Sequence, residues 1–129
     1  IIAYVKDSGV PVMCCGQKMT EMIPGTTDAS QEKHVPVYEV KDNVVTVTVG
    51  SVEHPMLPEH YIQWVSLQTK QGNQRKVLQL VDAPKVCFAI CGGDEVEAIY
   101  AYCNLHNLWK AQYAHICLNQ LFADLQNPS

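Results

Sequence analysis

The chain has 129 residues, 47% of them hydrophobic and 17% charged, with a formal net charge of -4. That length suits one ordinary domain with a self-sufficient core, and the composition is that of a folded globular chain. The negative balance excludes a phosphate-backbone binder, and no apolar run approaches the roughly 20 residues that cross a bilayer.

In chain order, residues 1–27 form a lead-in of irregular character, with turn chemistry at Gly9-Val10-Pro11 and Cys14-Cys15-Gly16. No charged-then-apolar signal segment opens it, so a reducing, cytoplasmic setting is expected. Residues 28–111 are dominated by a period of two. Val44 to Val49 alternates valine with threonine, and Tyr61 to Gln68, Val86 to Ile90 and Val96 to Tyr102 continue the pattern. Turn signals separate these runs at Lys41-Asp42-Asn43, Lys70-Gln71-Gly72-Asn73, Asp82-Ala83-Pro84 and Gly92-Gly93-Asp94. The spacing predicts six or seven short strands in an all-β, antiparallel sandwich of immunoglobulin-like type. The basic pair Arg75-Lys76 reads as a solvated strand or turn edge. In the tail, residues 112–129, Leu118, Leu121, Phe122 and Leu125 fall at helical spacing and predict a short amphipathic helix over Ile116 to Leu125, for packing or subunit contact.

The six cysteines, at positions 14, 15, 87, 91, 103 and 117, do not form an evenly spaced disulfide framework. Cys87 and Cys91 flank Phe88-Ala89-Ile90 and are expected to be buried, inert thiols. Cys103 differs, because it opens a Cys-x-x-His with His106. Three short blocks hold it together with four of the five histidines: Lys33-His34-Val35-Pro36, Glu53-His54-Pro55-Met56 with Glu59-His60-Tyr61, and Tyr102-Cys103-Asn104-Leu105-His106. Any one of these histidines alone would more often be a surface or hydrogen-bonded core residue. Their clustering with Cys103 points instead to a metal site of four nitrogens and one sulfur; His115, in the tail, keeps a plain structural reading.

Five ligands leave one octahedral position open, which is where a redox metal meets a small oxidant. Imidazole suits iron, zinc, copper and nickel, and a single thiolate stabilises the higher oxidation state; iron is the natural candidate. Structural zinc would close at four ligands with more sulfur, and a blue-copper site would need a weak axial methionine soon after the cysteine, where this chain has none. A cupredoxin-like or other metal-binding electron-transfer sandwich is the alternative reading. A sandwich used only for binding would need no metal at all.

The blocks Glu32-Lys33-His34-Val35-Pro36-Val37, Glu53-His54-Pro55-Met56, Glu59-His60-Tyr61-Ile62-Gln63-Trp64 and Tyr102-Cys103-Asn104-Leu105-His106, followed by Leu108-Trp109-Lys110, resemble the signature blocks of the superoxide reductase family, that is, desulfoferrodoxin and neelaredoxin. The likeness runs from about Val5 to Ala111. It implies one mononuclear iron per chain, cycling between ferrous and ferric, with His34, His54, His60 and His106 as four roughly planar nitrogen ligands and Cys103 as the axial thiolate. It implies one-electron reduction of superoxide to hydrogen peroxide, with no dioxygen formed, and re-reduction by rubredoxin or a similar small electron carrier. A homo-oligomer, dimer or tetramer, is expected with it.

Lys33 and Glu32 match family positions beside His34. Lys33 would attract an anion that the negative protein otherwise repels, and Glu32 would be a ligand for the oxidised metal. Backbone N–H groups of Asn104, Leu105 and His106 are expected to tune the Cys103 sulfur. The chain departs from the family in its lead-in, which reads as the remnant of a desulforedoxin-like module. Two-iron members there hold a second, rubredoxin-type iron with Cys-x-x-Cys and a Cys-Cys pair, and only Cys14-Cys15 is present. Two thiolates do not close that site, so no second iron is expected in this chain. Two readings stay open: a relic pair, or residues upstream of Ile1 that carry its complement. The tail is longer than is usual for the family, and Asn107 stands where glycine is common.

Overall fold

A computed structural model describes residues 1–111, and the helix expected over Ile116 to Leu125 lies outside the described residues. The lead-in contains a small hairpin, β1 (Met13–Cys14) and β2 (Gln17–Lys18), that the sequence pattern did not announce. One helical turn, α1 (Gln31–His34), then precedes the strands β3 (Pro36–Lys41), β4 (Val44–Val49), β5 (Ile62–Thr69), β6 (Gly72–Val77), β7 (Lys85–Ala89), β8 (Val96–Cys103) and β9 (Asn107–Lys110).

These seven strands make two antiparallel sheets, β3-β4-β7 and β6-β5-β8-β9, packed as an immunoglobulin-like sandwich. Alternation decides which side chains meet between them. Val45, Val47, Val49 and Phe88 of the first sheet pack on Val65, Leu67, Ile99 and Ala101 of the second, all fully buried. Two-residue turns suit this twist: Asp42 and Asn43 both take positive φ, 52° and 63°, to join β3 to β4. Arg75 and Lys76 lie on β6, which is exposed along its whole length, as a solvated edge requires. No helix among the described residues is long and apolar enough to cross a membrane.

The expected burial of Cys87 and Cys91 is overturned, since both are exposed. On β7 the inward positions belong to Val86 and Phe88, so the same period of two that buries Phe88 turns Cys87 outward, with its Sγ 3.6 Å from the Thr46 hydroxyl. Cys91 lies just past the end of that strand.

Gly50, directly after β4, positions the helical turn. A Cβ there would lie 2.5 Å from the Glu32 carbonyl oxygen and 2.9 Å from the Lys33 carbonyl carbon. The Val52 N–H (3.0 Å) and the Ser51 hydroxyl (3.2 Å) both donate to that Glu32 carbonyl. The segment bearing Glu32, Lys33 and His34 is thus held against the end of β4 by backbone contact. Gly50→Ala is expected to force the two apart and to destabilise the protein by about 1–3 kcal/mol, the usual cost of overpacking. Urea unfolding measures it, and an unchanged midpoint would contradict this packing.

Candidate metal centre

The ligand blocks converge at one end of the sandwich. His34 closes α1, His54 and His60 lie in the loop between β4 and β5, Cys103 ends β8, and His106 sits in the turn before β9. His34, His54 and Cys103 are buried and His60 and His106 are half-buried. The donor atoms of His34, His54, His60 and Cys103 all lie within 4.8 Å of one another, the one such His/Cys/Asp/Glu group among the described residues.

The four imidazoles form a closed circuit. Neighbouring ring centroids are 4.6 Å apart for His34–His54 and His54–His60, and 4.9 Å for His60–His106 and His106–His34, each pair edge-on. His34 and His60 face each other across it at 6.0 Å. Nε2 of His34 lies 3.1 Å from Nε2 of His54 and 3.1 Å from Nδ1 of His106. The Cys103 sulfur completes the group, 3.6 Å from His54 Nε2 and 3.8 Å from His106 Nδ1.

The protons on these rings show what the circuit is for. His34 Nδ1 lies 2.7 Å from the Ser30 carbonyl and His54 Nδ1 2.7 Å from the Pro55 carbonyl. A carbonyl only accepts, so both Nδ1 atoms carry hydrogen, and in the neutral rings both Nε2 atoms are bare lone pairs. Burial lowers the His34 pKa despite the Ser30 bond, with the positive charge of His106, His60 and Lys33 adding to it. Burial likewise pushes His54 down to about 4, against the opposing Pro55 bond, so at neutral pH both rings are uncharged. His60 is also lowered, by burial first and then by the charges of His106 and Lys33 against the opposing pull of Glu59, and its Nε2 is buried with no partner.

Two lone pairs at 3.1 Å repel, and an orphaned buried nitrogen costs free energy. A cation between the donors relieves both. Donors on adjacent corners around an ion with metal–nitrogen bonds of about 2.1 Å stand about 3.0 Å apart, so the observed spacing fits a single ion. Three imidazoles and one thiol in a single shell, with the His106 nitrogen beside them, suit one mononuclear iron.

Side chains to which the sequence assigned no role hold this geometry. Asn104 bridges two loops: its Oδ1 accepts the Tyr61 N–H (2.9 Å) and its Nδ2 donates to the Glu59 carbonyl (3.0 Å). The Asn104 N–H donates to the Tyr61 carbonyl at 3.2 Å, so it is not spent on the Cys103 sulfur as expected. Trp109 stacks on His34, centroids 4.9 Å apart, and its Nε1 donates to the His106 carbonyl (2.9 Å). Position within the Cys-x-x-His turn was the only signal for Asn104; the Ser30 and Pro55 carbonyls carry no side-chain signal at all. Lys33 and Glu32 are exposed beside the cluster. Cys14 and Cys15 stand in the β1–β2 hairpin, exposed, with sulfurs 3.7 Å apart.

Residues 26–112 match the family model described as Desulfoferrodoxin. A desulfoferrodoxin of Nitratidesulfovibrio vulgaris is 44% identical over 112 residues, covering 87% of each chain. A desulfoferrodoxin homolog of Archaeoglobus fulgidus is 47% identical over 111 residues, covering 86% of this chain and 87% of that one. Among solved structures, the superoxide reductase of Treponema pallidum superposes with a TM-score of 0.76 at 44% identity, over 85% of this chain and 91% of that one. A family match over more than half the chain and relatives at this identity leave one conclusion: the chain belongs to the desulfoferrodoxin family.

Proposed function

We propose that this protein is a superoxide reductase, in which His34, His54, His60, His106 and Cys103 hold one iron and superoxide is reduced by one electron to hydrogen peroxide. The observation that carries the reading is the pair of inward lone pairs on the buried, uncharged rings of His34 and His54, closed by a single thiol. A superoxide reductase is also the name of the Treponema pallidum relative. Iron, when bound, supplies a one-electron couple at a centre with a coordination position to spare.

The chain's own residues do the rest. The Ser30 and Pro55 carbonyls hold His34 and His54 in the tautomer that offers Nε2, as partners of metal-bound histidines generally do. Cys103, buried between the sheets, supplies the electron-rich donor. Lys33 brings a positive charge whose effect is felt at both His34 and His60, and it draws an anion toward a protein of net charge -4. Glu32, exposed one residue away, would offer a carboxylate to the oxidised metal. Rubredoxin or a similar small carrier restores the reduced state, in a reducing, cytoplasmic setting. A cupredoxin-type copper site uses two histidines, whereas four rings close the circuit in this chain.

Mixing the reduced, iron-loaded protein with superoxide tests the reading: peroxide is expected in step with superoxide consumed, without dioxygen. Dioxygen release, or no reaction, would refute it. Cys103→Ser is expected to abolish the thiolate-to-ferric absorption band and to weaken iron retention about 10–100-fold, read by optical spectra and metal analysis under a competing chelator. Lys33→Ala is expected to slow the reaction with superoxide about tenfold and to flatten its dependence on ionic strength. A rate indifferent to both the substitution and salt would remove Lys33 from the account.

A further inference from the structure

We propose that the outer face of the four-stranded sheet is the docking surface for an acidic one-electron carrier protein, seated on an aromatic row one residue away from Cys103. The proposal rests on the reductase reading, which requires a donor of that kind. It follows from strand register. The pairings of Trp64 with Val77, Trp64 with Tyr102 and Tyr102 with Leu108 set four side chains in one row across β6, β5, β8 and β9. Their neighbours along the strands, Val65 and Ala101, are fully buried, so the row faces away from the core. Val77 is 63% exposed, a large apolar side chain turned to solvent on an edge strand. The Trp64 and Tyr102 rings stack with centroids 5.4 Å apart and planes at 6°. Beside them a groove of about 490 Å³ runs between Tyr61, Trp64, Val77, Leu78 and Leu80.

The next row supplies charge. Arg75, Ser66, Tyr100 and Lys110 are paired in register across the same four strands, and the Lys110 ammonium lies over the Tyr100 ring, 5.7 Å from its centroid. Among the described residues neither Arg75 nor Lys110 is in an ion pair, and neither row contains a carboxylate. On a chain with net charge -4, an apolar aromatic row beside two cations is a local patch that favours an acidic partner against the overall repulsion. A second copy of the chain fits less well. A two-fold contact would bring these same rows against themselves, and neither row has a carboxylate to answer its own cations.

The position also suits electron entry. Tyr102 and Cys103 are consecutive on β8 with side chains on opposite faces, so the ring row joins the buried sulfur donor through one peptide bond. The carrier loses one electron and the oxidised centre gains it, so the step balances with no other reactant.

The test uses the full iron-loaded protein and an acidic rubredoxin, zinc-substituted for binding so that no electron moves. Calorimetric titration at low salt compares Arg75→Glu/Lys110→Glu with Lys41→Glu/Lys85→Glu, a control on the opposite sheet with the same change in net charge. The first variant is expected to bind the carrier at least about tenfold more weakly and to be reduced more slowly by native rubredoxin, while the control changes by less than about threefold. Equal weakening in both would reduce the effect to overall charge and overturn the proposal. So would a shift of Arg75→Glu/Lys110→Glu to a smaller species in sedimentation, which would mean that a second copy covers the face. Chemically reduced parent protein reacting with superoxide at an unchanged rate in both variants keeps the two readings separate. If the parent does not react while carrier binding still depends on Arg75 and Lys110, the reductase reading fails and the docking surface stands.

Discussion

Two histidine nitrogens with bare lone pairs, 3.1 Å apart in a buried site, are the constraint on which the rest of the structure depends. Each is bare because its ring has committed its hydrogen to a carbonyl, Ser30 for His34 and Pro55 for His54. The lone pairs repel each other, burial denies them a proton, and the unpartnered Nε2 of His60 adds a third unsatisfied nitrogen. Such an arrangement is costly in the protein alone and favourable around a cation. The chain tolerates that cost because its backbone holds the donors in place.

The sandwich supplies the rigidity. Three separate connections meet at one end of it: the α1 turn, the β4–β5 loop and the β8–β9 turn. Gly50 lets the first approach the end of β4, Asn104 ties the second to the third, and Trp109 stacks on His34 while its indole N–H fixes the His106 carbonyl. A core of fully buried Val, Ile, Leu and Phe side chains holds the strands that carry these connections. Function therefore sits on turns while precision comes from the sheets beneath them.

Much of this was legible in the sequence. The strands were, because side chains alternate between core and solvent and Val44 to Val49 spells that alternation out. The grouping of His34, His54, His60 and Cys103 was, because their residue types cluster in three short blocks. The sidedness of a strand was harder to read: Cys87 was expected inside, yet the register that buries Val86 and Phe88 leaves it out. The small β1–β2 hairpin, the carbonyls of Ser30 and Pro55 and the close approach at Gly50 were illegible, since they rest on backbone positions that side-chain identity does not encode. The row from Val77 to Leu108 was hidden for a related reason, because its members come from four strands and become neighbours only through pairing.

The central claim, that these five donors hold one iron, is tested most directly by X-ray absorption at the iron edge on protein of known metal content. The account predicts one iron per chain with four nitrogen neighbours and one sulfur neighbour, the sulfur vanishing in Cys103→Ser. Iron surrounded by oxygen and nitrogen alone, or a site that takes up stoichiometric zinc and excludes iron, would contradict it.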